Sequence, residues 1–165
     1  MRANCHPFAY QNWSFAHNGQ IGGFYKMQRS LESLLSDELY QACQGTTDSE
    51  LLFLLLLQFS LSKSVEMACG KAIGILKRMR TKMSISEPLR IAAVGADGSD
   101  LFALRYASDA YSPTLYRSRK LDNGGITIAS EPLDNIRHNW DPIMPSCLVL
   151  VSAGGVIQDL GLKIS

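Results

Sequence analysis

Apolar residues at helical spacing over the first half of the chain, followed by period-two runs broken at Asp-Gly and Asn-Gly sites, predict an α+β fold. Helices should lie on the face of antiparallel strands. The chain has 165 residues, enough for one domain, 1–165, with a core that needs no metal or disulfide staple.

The helical half opens at Gly22-Gly23. Beyond it Phe24, Met27, Leu31, Leu34 and Leu35 recur at steps of three and four, one face of a helix. A second helix starts at Thr47, whose hydroxyl can cap the backbone while Glu50, three residues on, reaches back to complete a capping box. Its body, Leu51 to Phe59, is apolar on every side, which predicts burial. A third helix is written by Val65, Ala68, Cys69, Ala72, Ile73, Leu76, Met79 and Met83, with Lys71, Lys77, Arg78 and Lys82 on a solvated side. Gly70 and Gly74 each weaken that helix by about 1 kcal/mol, so close packing of a neighbouring helix is expected there.

After Pro88 the period changes from helical to alternating. Arg90–Val94 and Leu101–Tyr106 flank Asp97-Gly98, a hairpin signal in which both central residues take positive φ. Leu115–Leu121 and Ile126–Ser130 flank Asp122-Asn123-Gly124-Gly125 in the same way. Cys147–Val151 and a weaker strand after Ala153-Gly154-Gly155 complete the pattern. The chain shows no internal repeat, low-complexity tract or interdomain linker.

Charge and cysteine usage narrow the function. Sixteen Lys+Arg against 15 Asp+Glu leave a formal net charge of +1, which gives no overall attraction for nucleic acid or an anionic membrane. The run Leu51–Leu57 is far shorter than the roughly 20 residues that span a bilayer, and Met1–His6 carries no apolar core of a signal peptide. Cysteines 5, 43, 69 and 147 are scattered without a CxxC pair or zinc spacing, so no metal and no cofactor are expected, and the thiols suit a reducing cytoplasm. The first residues read like the middle of a domain, with no capped helix or leading strand ahead of His6-Pro7-Phe8.

Two segments carry chemistry. The first is Asn4-Cys5-His6-Pro7-Phe8 followed by Trp13-Ser14-Phe15-Ala16-His17-Asn18-Gly19-Gln20-Ile21, and the second is Gly45-Thr46-Thr47-Asp48-Ser49-Glu50. In this order, with a helix between them, they resemble the class II glutamine amidotransferases of the N-terminal-nucleophile hydrolases. Ser130-Glu131-Pro132-Leu133 matches the stand-alone bacterial branch. The resemblance implies a four-layer αββα sandwich, here truncated at the front, and a glutamine or γ-glutamyl small molecule as ligand.

It also implies roles. Asn18, through its side-chain amide, and Gly19, through its backbone N–H, would hold the oxyanion. A carboxamide and a glycine amide can aim two neutral donors at one developing charge, and glycine lets the backbone approach the substrate. The plainer alternative is that Asn18-Gly19 is a turn between a strand and a helix. Asp48 would accept the α-ammonium of glutamine, and would also suit the first turn of a helix, where negative charge is favoured. His17 joins the substrate-binding group, in support of the Asn18 loop rather than in proton transfer. His6 and His138 read as ordinary polar residues, and Phe8, Trp13 and Phe15 as core.

The family attacks glutamine with an N-terminal cysteine whose own α-amino group is the base. This sequence begins with Met1 and, on that resemblance, lies downstream of that cysteine and of the arginine that holds the glutamine carboxylate. Cys5 falls within the Asn-x-x-Pro-Phe segment, with its nitrogen in a peptide bond, and Arg2 is too close to Asn4 to take the arginine's place. The expectation is a chain inactive alone, an enzyme fragment or a non-catalytic ligand-binding remnant, whose unpaired sheet edges favour self-association or pairing with an N-terminal segment.

Overall fold

The computed structural model describes residues 4–119, 125–134 and 136–165. Its elements run β1 (Phe8–Tyr10), β2 (Trp13–Ile21), α1 (Phe24–Glu32), α2 (Asp37–Ala42), α3 (Asp48–Gln58), α4 (Val65–Lys82), β3 (Leu89–Ala96), β4 (Leu101–Ala107), β5 (Tyr116–Ser118), β6 (Ile128–Ala129), β7 (Trp140–Pro142), β8 (Cys147–Val151) and β9 (Ile157–Gly161).

Local chemistry sets the helix starts. Gly23, at φ 69°, makes the left-handed step into α1, where a β-carbon would press on the Ile85 side chain. The helix stops at Glu32, short of the expected Leu34 and Leu35, and Ser36 then caps α2 by accepting from the Leu39 N–H at 3.3 Å. Thr47 caps α3 as expected, its hydroxyl oxygen accepting from the Glu50 N–H at 3.2 Å. The reciprocal half of that capping box is not formed. Glu50 is buried, and its carboxylate accepts instead from the N–H groups of Gln44, at 2.9 Å, and Gly45, at 2.8 Å. Two inward-turned loop amides satisfy a buried charge better than one partly wet cap donor.

Gly70 and Gly74 also differ from expectation. Their nearest neighbour is the C-terminal backbone rather than a second helix, and a β-carbon at either would overlap the carbonyl oxygens of Lys163 or Ser165. Arg78 donates to the Ser165 carbonyl at 2.9 Å, and Lys163 pairs with Glu66 at 3.2 Å, so the same strap is held from both sides.

The strands form a six-stranded sheet in the order β1-β2-β3-β4-β8-β9 and a three-stranded sheet in the order β6-β5-β7, with every pairing antiparallel. Alternation along the strands gives the large sheet two apolar faces. Phe15, Ile91, Phe102, Leu104 and Leu148 pack with Leu52, Leu55, Ala72 and Ile73 of α3 and α4. On the other face Ala92, Ala103, Val149 and Val151 pack with Leu115 and Ile143, which flank the small sheet. The α+β class with helices on antiparallel sheets is as expected. Helices, large sheet and small sheet supply three layers, and among the described residues no α-helix follows β4.

The Asp97-Gly98 hairpin forms, with a different turn from the one expected. Only Gly98 has positive φ, at 94°. The Asp97 carboxylate instead accepts from the N–H groups of Ser99, at 2.9 Å, and Asp100, at 2.8 Å, which widens the loop to four residues. Strands β5 and β6 pair as the second hairpin; the turn expected at Asp122–Gly124, with the end of its first strand at Lys120 and Leu121, lies outside the described residues. Among the described residues no helix is long and apolar enough to cross a membrane.

Candidate active site

Strand β2 splits the first motif between its two faces. Phe15 and His17 point to the helices and are buried, whereas Ala16 and Asn18, the alternate residues, are exposed toward the small sheet. Asn18 pairs in register with Ala92, and Gly19 with Ile91, so both lie within a strand rather than in the alternative turn or in a loop. A cleft of about 260 Å³ opens on this side. Ala16, Asn18, Ala92 and Val94 line it from the large sheet, Leu115, Ile128, Ala129 and Ser130 from the other side, and His6 and His17 complete the lining.

Gly19 is required by its surroundings. Its φ of 152° and the tight approach of β3 leave no room for a side chain: a β-carbon would overlap the Arg90 carbonyl oxygen and lie 2.8 Å from His17 Nε2.

The second motif is tied to the first at three points. Asn4 accepts from the Thr46 N–H at 3.1 Å. His17 Nδ1 lies 2.9 Å from the Ser49 hydroxyl. Asp48 Oδ2 accepts from the Ile21 N–H at 2.8 Å, at the end of β2 and two residues beyond Gly19. Asp48 is half-buried in the first turn of α3, where the helix dipole favours its charge. It does not line the cleft beside Asn18; the structure places it at the strand end, with Oδ1 approached only by the Ser49 hydroxyl at 3.4 Å among the contacts described.

His17 is 6 % exposed and has both ring nitrogens engaged, Nε2 lying 3.4 Å from the Arg90 carbonyl. Neither nitrogen is offered to a ligand. Burial pushes its pKa below the usual histidine value and the charge of His6 adds to this, while Asp48 and the Arg90 carbonyl pull the other way. The unfolded chain therefore binds this proton more readily. Stability from this group is complete above the ordinary histidine range and is lost as pH falls through that range toward the folded-state pKa.

Three groups hold the site in ways the sequence did not show: Ser49 and Arg105 carried no assignment there, and Glu50 only that of a helix cap. Ser49 stands inside the second motif. Glu50 pins the loop ahead of Asp48. Arg105 on β4 donates to the carbonyls of Pro113, at 2.6 Å, and Ile143, fixing the segments around Leu115 that wall the cleft. For Arg105 the only signal was a charge at an inward position of a strand.

The four cysteines lie apart from Asn18 in the lining of the cleft. Cys69 is fully buried in α4, and burial pushes its thiol up to about 12. Burial and the Glu50 carboxylate push Cys43 up to about 11. Cys147 is on β8, and Cys5, which is exposed, lines a separate cavity with Pro7, Phe8 and Glu50. Among the described residues no cluster suits a metal ion. A larger cavity of about 410 Å³, walled by Trp13, Val65, Phe102 and Leu150, sits at the opposite end of β2; of the two motifs it includes Trp13 alone, and neither Asn18, Gly19 nor Asp48 lines it.

Comparison with known proteins identifies the family and the fold. The family described as "Glutamine amidotransferases class-II" matches residues 1–162. A curated relative, the probable glutamine amidotransferase DUG3 of Saccharomyces cerevisiae, is 26 % identical over 185 residues, covering 90 % of this chain and 52 % of its own length. The chain thus spans about half of that relative. Among solved structures, a glutamine aminotransferase class-II domain protein from Silicibacter pomeroyi superposes with a TM-score of 0.90 at 34 % identity, over 98 % of this chain and 72 % of that one. Glutamine phosphoribosylpyrophosphate amidotransferase from B. subtilis shares the fold, with a TM-score of 0.62 at 17 % identity, over 96 % of this chain and 31 % of that one.

Proposed function

This chain belongs to the class II glutamine amidotransferases, and from that premise we propose that Asn18, Gly19 and Asp48 recognise the amide and ammonium ends of glutamine or of a γ-glutamyl small molecule. The observation that supports the reading is the triple tie between the motif segments, Asn4 to Thr46, His17 to Ser49 and Ile21 to Asp48, which holds residues 27 to 42 positions apart against one another.

In the reaction a thiolate attacks the side-chain amide carbon, and charge gathers on the former carbonyl oxygen. The Asn18 NH₂ and the Gly19 N–H are the donors for that charge, held rigid by the strand so that little reorganisation is needed as it forms. The C–N bond then breaks, the nitrogen leaves with a proton as ammonia or an amine, and water hydrolyses the thioester. Asp48 holds the ammonium throughout, through Oδ1. His17, with no ring nitrogen to spare, positions β2.

On this reading none of the four cysteines of the sequence is the nucleophile, and Cys147 on β8 does not line the cleft. Cys43 and Cys69 hold their protons too tightly to be thiolates near neutral pH, and the nitrogen of Cys5 is a peptide amide that cannot act as base. A segment preceding residue 1, or supplied in trans, would bring both the cysteine and a partner for the glutamine carboxylate.

Ammonia release tests this. The 165-residue polypeptide should release none from glutamine above background, and the same polypeptide preceded by a family segment with an N-terminal cysteine should release it in a cysteine-dependent way. Release by the 165-residue form that is abolished by Cys5→Ser would overturn the assignment. Glutamine binding without turnover in the extended form would favour a non-catalytic binding module.

A further inference from the structure

Ser49 is buried at the second position of α3, with its hydroxyl between two motif residues. It lies 2.9 Å from His17 Nδ1 and 3.4 Å from Asp48 Oδ1. A hydroxyl has one proton to donate, so it cannot serve both acceptors at once. The state of the His17 ring decides between them. Nε2 faces the Arg90 carbonyl, which can only accept, so the neutral ring carries its proton on Nε2 and Nδ1 accepts from Ser49. Once the ring takes a second proton, Nδ1 becomes a donor. The Ser49 oxygen must then accept from it, and the hydroxyl proton turns to Asp48 Oδ1.

We propose that Ser49 is a positioning residue that couples His17 on β2 to Asp48, giving its proton to His17 when the ring is neutral and to Asp48 when the ring is charged. The functional consequence rests on the reading of Asp48 as the ammonium acceptor. Oδ2 already takes the Ile21 N–H, so Oδ1 is the oxygen with capacity for a ligand, and a hydroxyl proton directed at it competes with the ammonium. Glutamine should bind several-fold more weakly below the His17 midpoint than above it.

The charges acting on the ring are Asp48 of α3, which favours the imidazolium, and His6 ahead of β1, which opposes it. From strand β3 the Arg90 carbonyl reaches the ring, while the Arg90 guanidinium is paired with Asp109 at 2.6 Å. Burial outweighs Asp48, so His17 is neutral at neutral pH and the switch lies on the acid side of the ordinary histidine range.

Nitrogen-15 NMR of the His17 imidazole and carbon-13 NMR of the Asp48 carboxyl test the coupling on the chain as it is. The expected result is an Nε2–H tautomer at neutral pH and an Asp48 carboxyl shift that moves with the His17 midpoint. Ser49→Ala should uncouple the two signals and lower the midpoint further, because a buried imidazolium Nδ1–H loses its acceptor. Ser49→Thr, which keeps the hydroxyl, should preserve the coupling and controls for folding. A neutral ring protonated on Nδ1, or a Ser49→Ala variant with unchanged coupling and midpoint, would overturn the proposal. Glutamine titrations on the same samples separate the two claims: coupling as expected with no glutamine binding at any pH would leave the relay standing and remove the assignment of Asp48 to the ammonium.

Discussion

Asn18→Ala lowers kcat for glutamine hydrolysis by roughly 10²–10³ in a form of the protein that carries its nucleophilic cysteine, with KM little changed. The size follows from the timing of the interaction. The Asn18 amide meets a weakly polar carbonyl in the ground state and a developing oxyanion in the transition state, so its removal is felt in the barrier. Asn18 lies on the cleft side of β2, away from the helix-facing core, so truncation leaves the packing of Phe15 and His17 intact. Asp48 gives the opposite signature. Asp48→Asn keeps an oxygen for the Ile21 N–H and loses the charge that meets the ammonium, so KM should rise roughly 10–100-fold while kcat holds. Steady-state kinetics on the two variants check both statements, and an Asn18→Ala enzyme that is folded with unaltered kcat would remove the oxyanion role.

Gly19→Ala is expected to destabilise the fold by about 3 kcal/mol, adding overpacking to backbone strain. The added carbon overlaps the carbonyl oxygen of Arg90, part of the backbone of a central strand, and crowds His17 Nε2 at 2.8 Å. Neither neighbour can swing aside as a flexible side chain would, because Arg90 is in ladder register with Gln20 and His17 is held by Ser49. The denaturant midpoint should fall by a corresponding amount. At Gly98, where a β-carbon would meet nothing within 4 Å, the same change should cost only the strain of a positive φ, roughly 1 kcal/mol.

The long elements were legible because each repeats its signal. Helix α4 shows its apolar face over 18 residues, and β3 and β4 alternate on either side of Asp97-Gly98. Strands β1 and β7, at three residues each, are too short to display a period, and α2 is announced only by Ser36-Asp37-Glu38. At the site, the motif residues were readable but their partners were not. A sequence shows that Glu50 can cap Thr47; it does not show that the loop path turns the Gln44 and Gly45 amides toward the same carboxylate. Likewise Gly70 and Gly74 announce a close approach without saying what approaches, and here it is the C-terminal backbone beyond β9. Asn18 and His17 are adjacent in sequence, yet their opposite tasks follow from strand alternation, which becomes visible only once residues 13–21 are known to be one strand.

The most direct test of the account is an amide-resolved NMR titration of the chain with L-glutamine at millimolar concentration, the range expected for a small ligand held by a few polar contacts. The account predicts saturable shifts at the Asn18 side-chain NH₂, the Gly19 and Ile21 amides and the first turn of α3, with D-glutamine giving weaker ones. Shifts confined to the cavity around Trp13 and Phe102, or none at the two motifs up to saturation of the solvent with ligand, would contradict it.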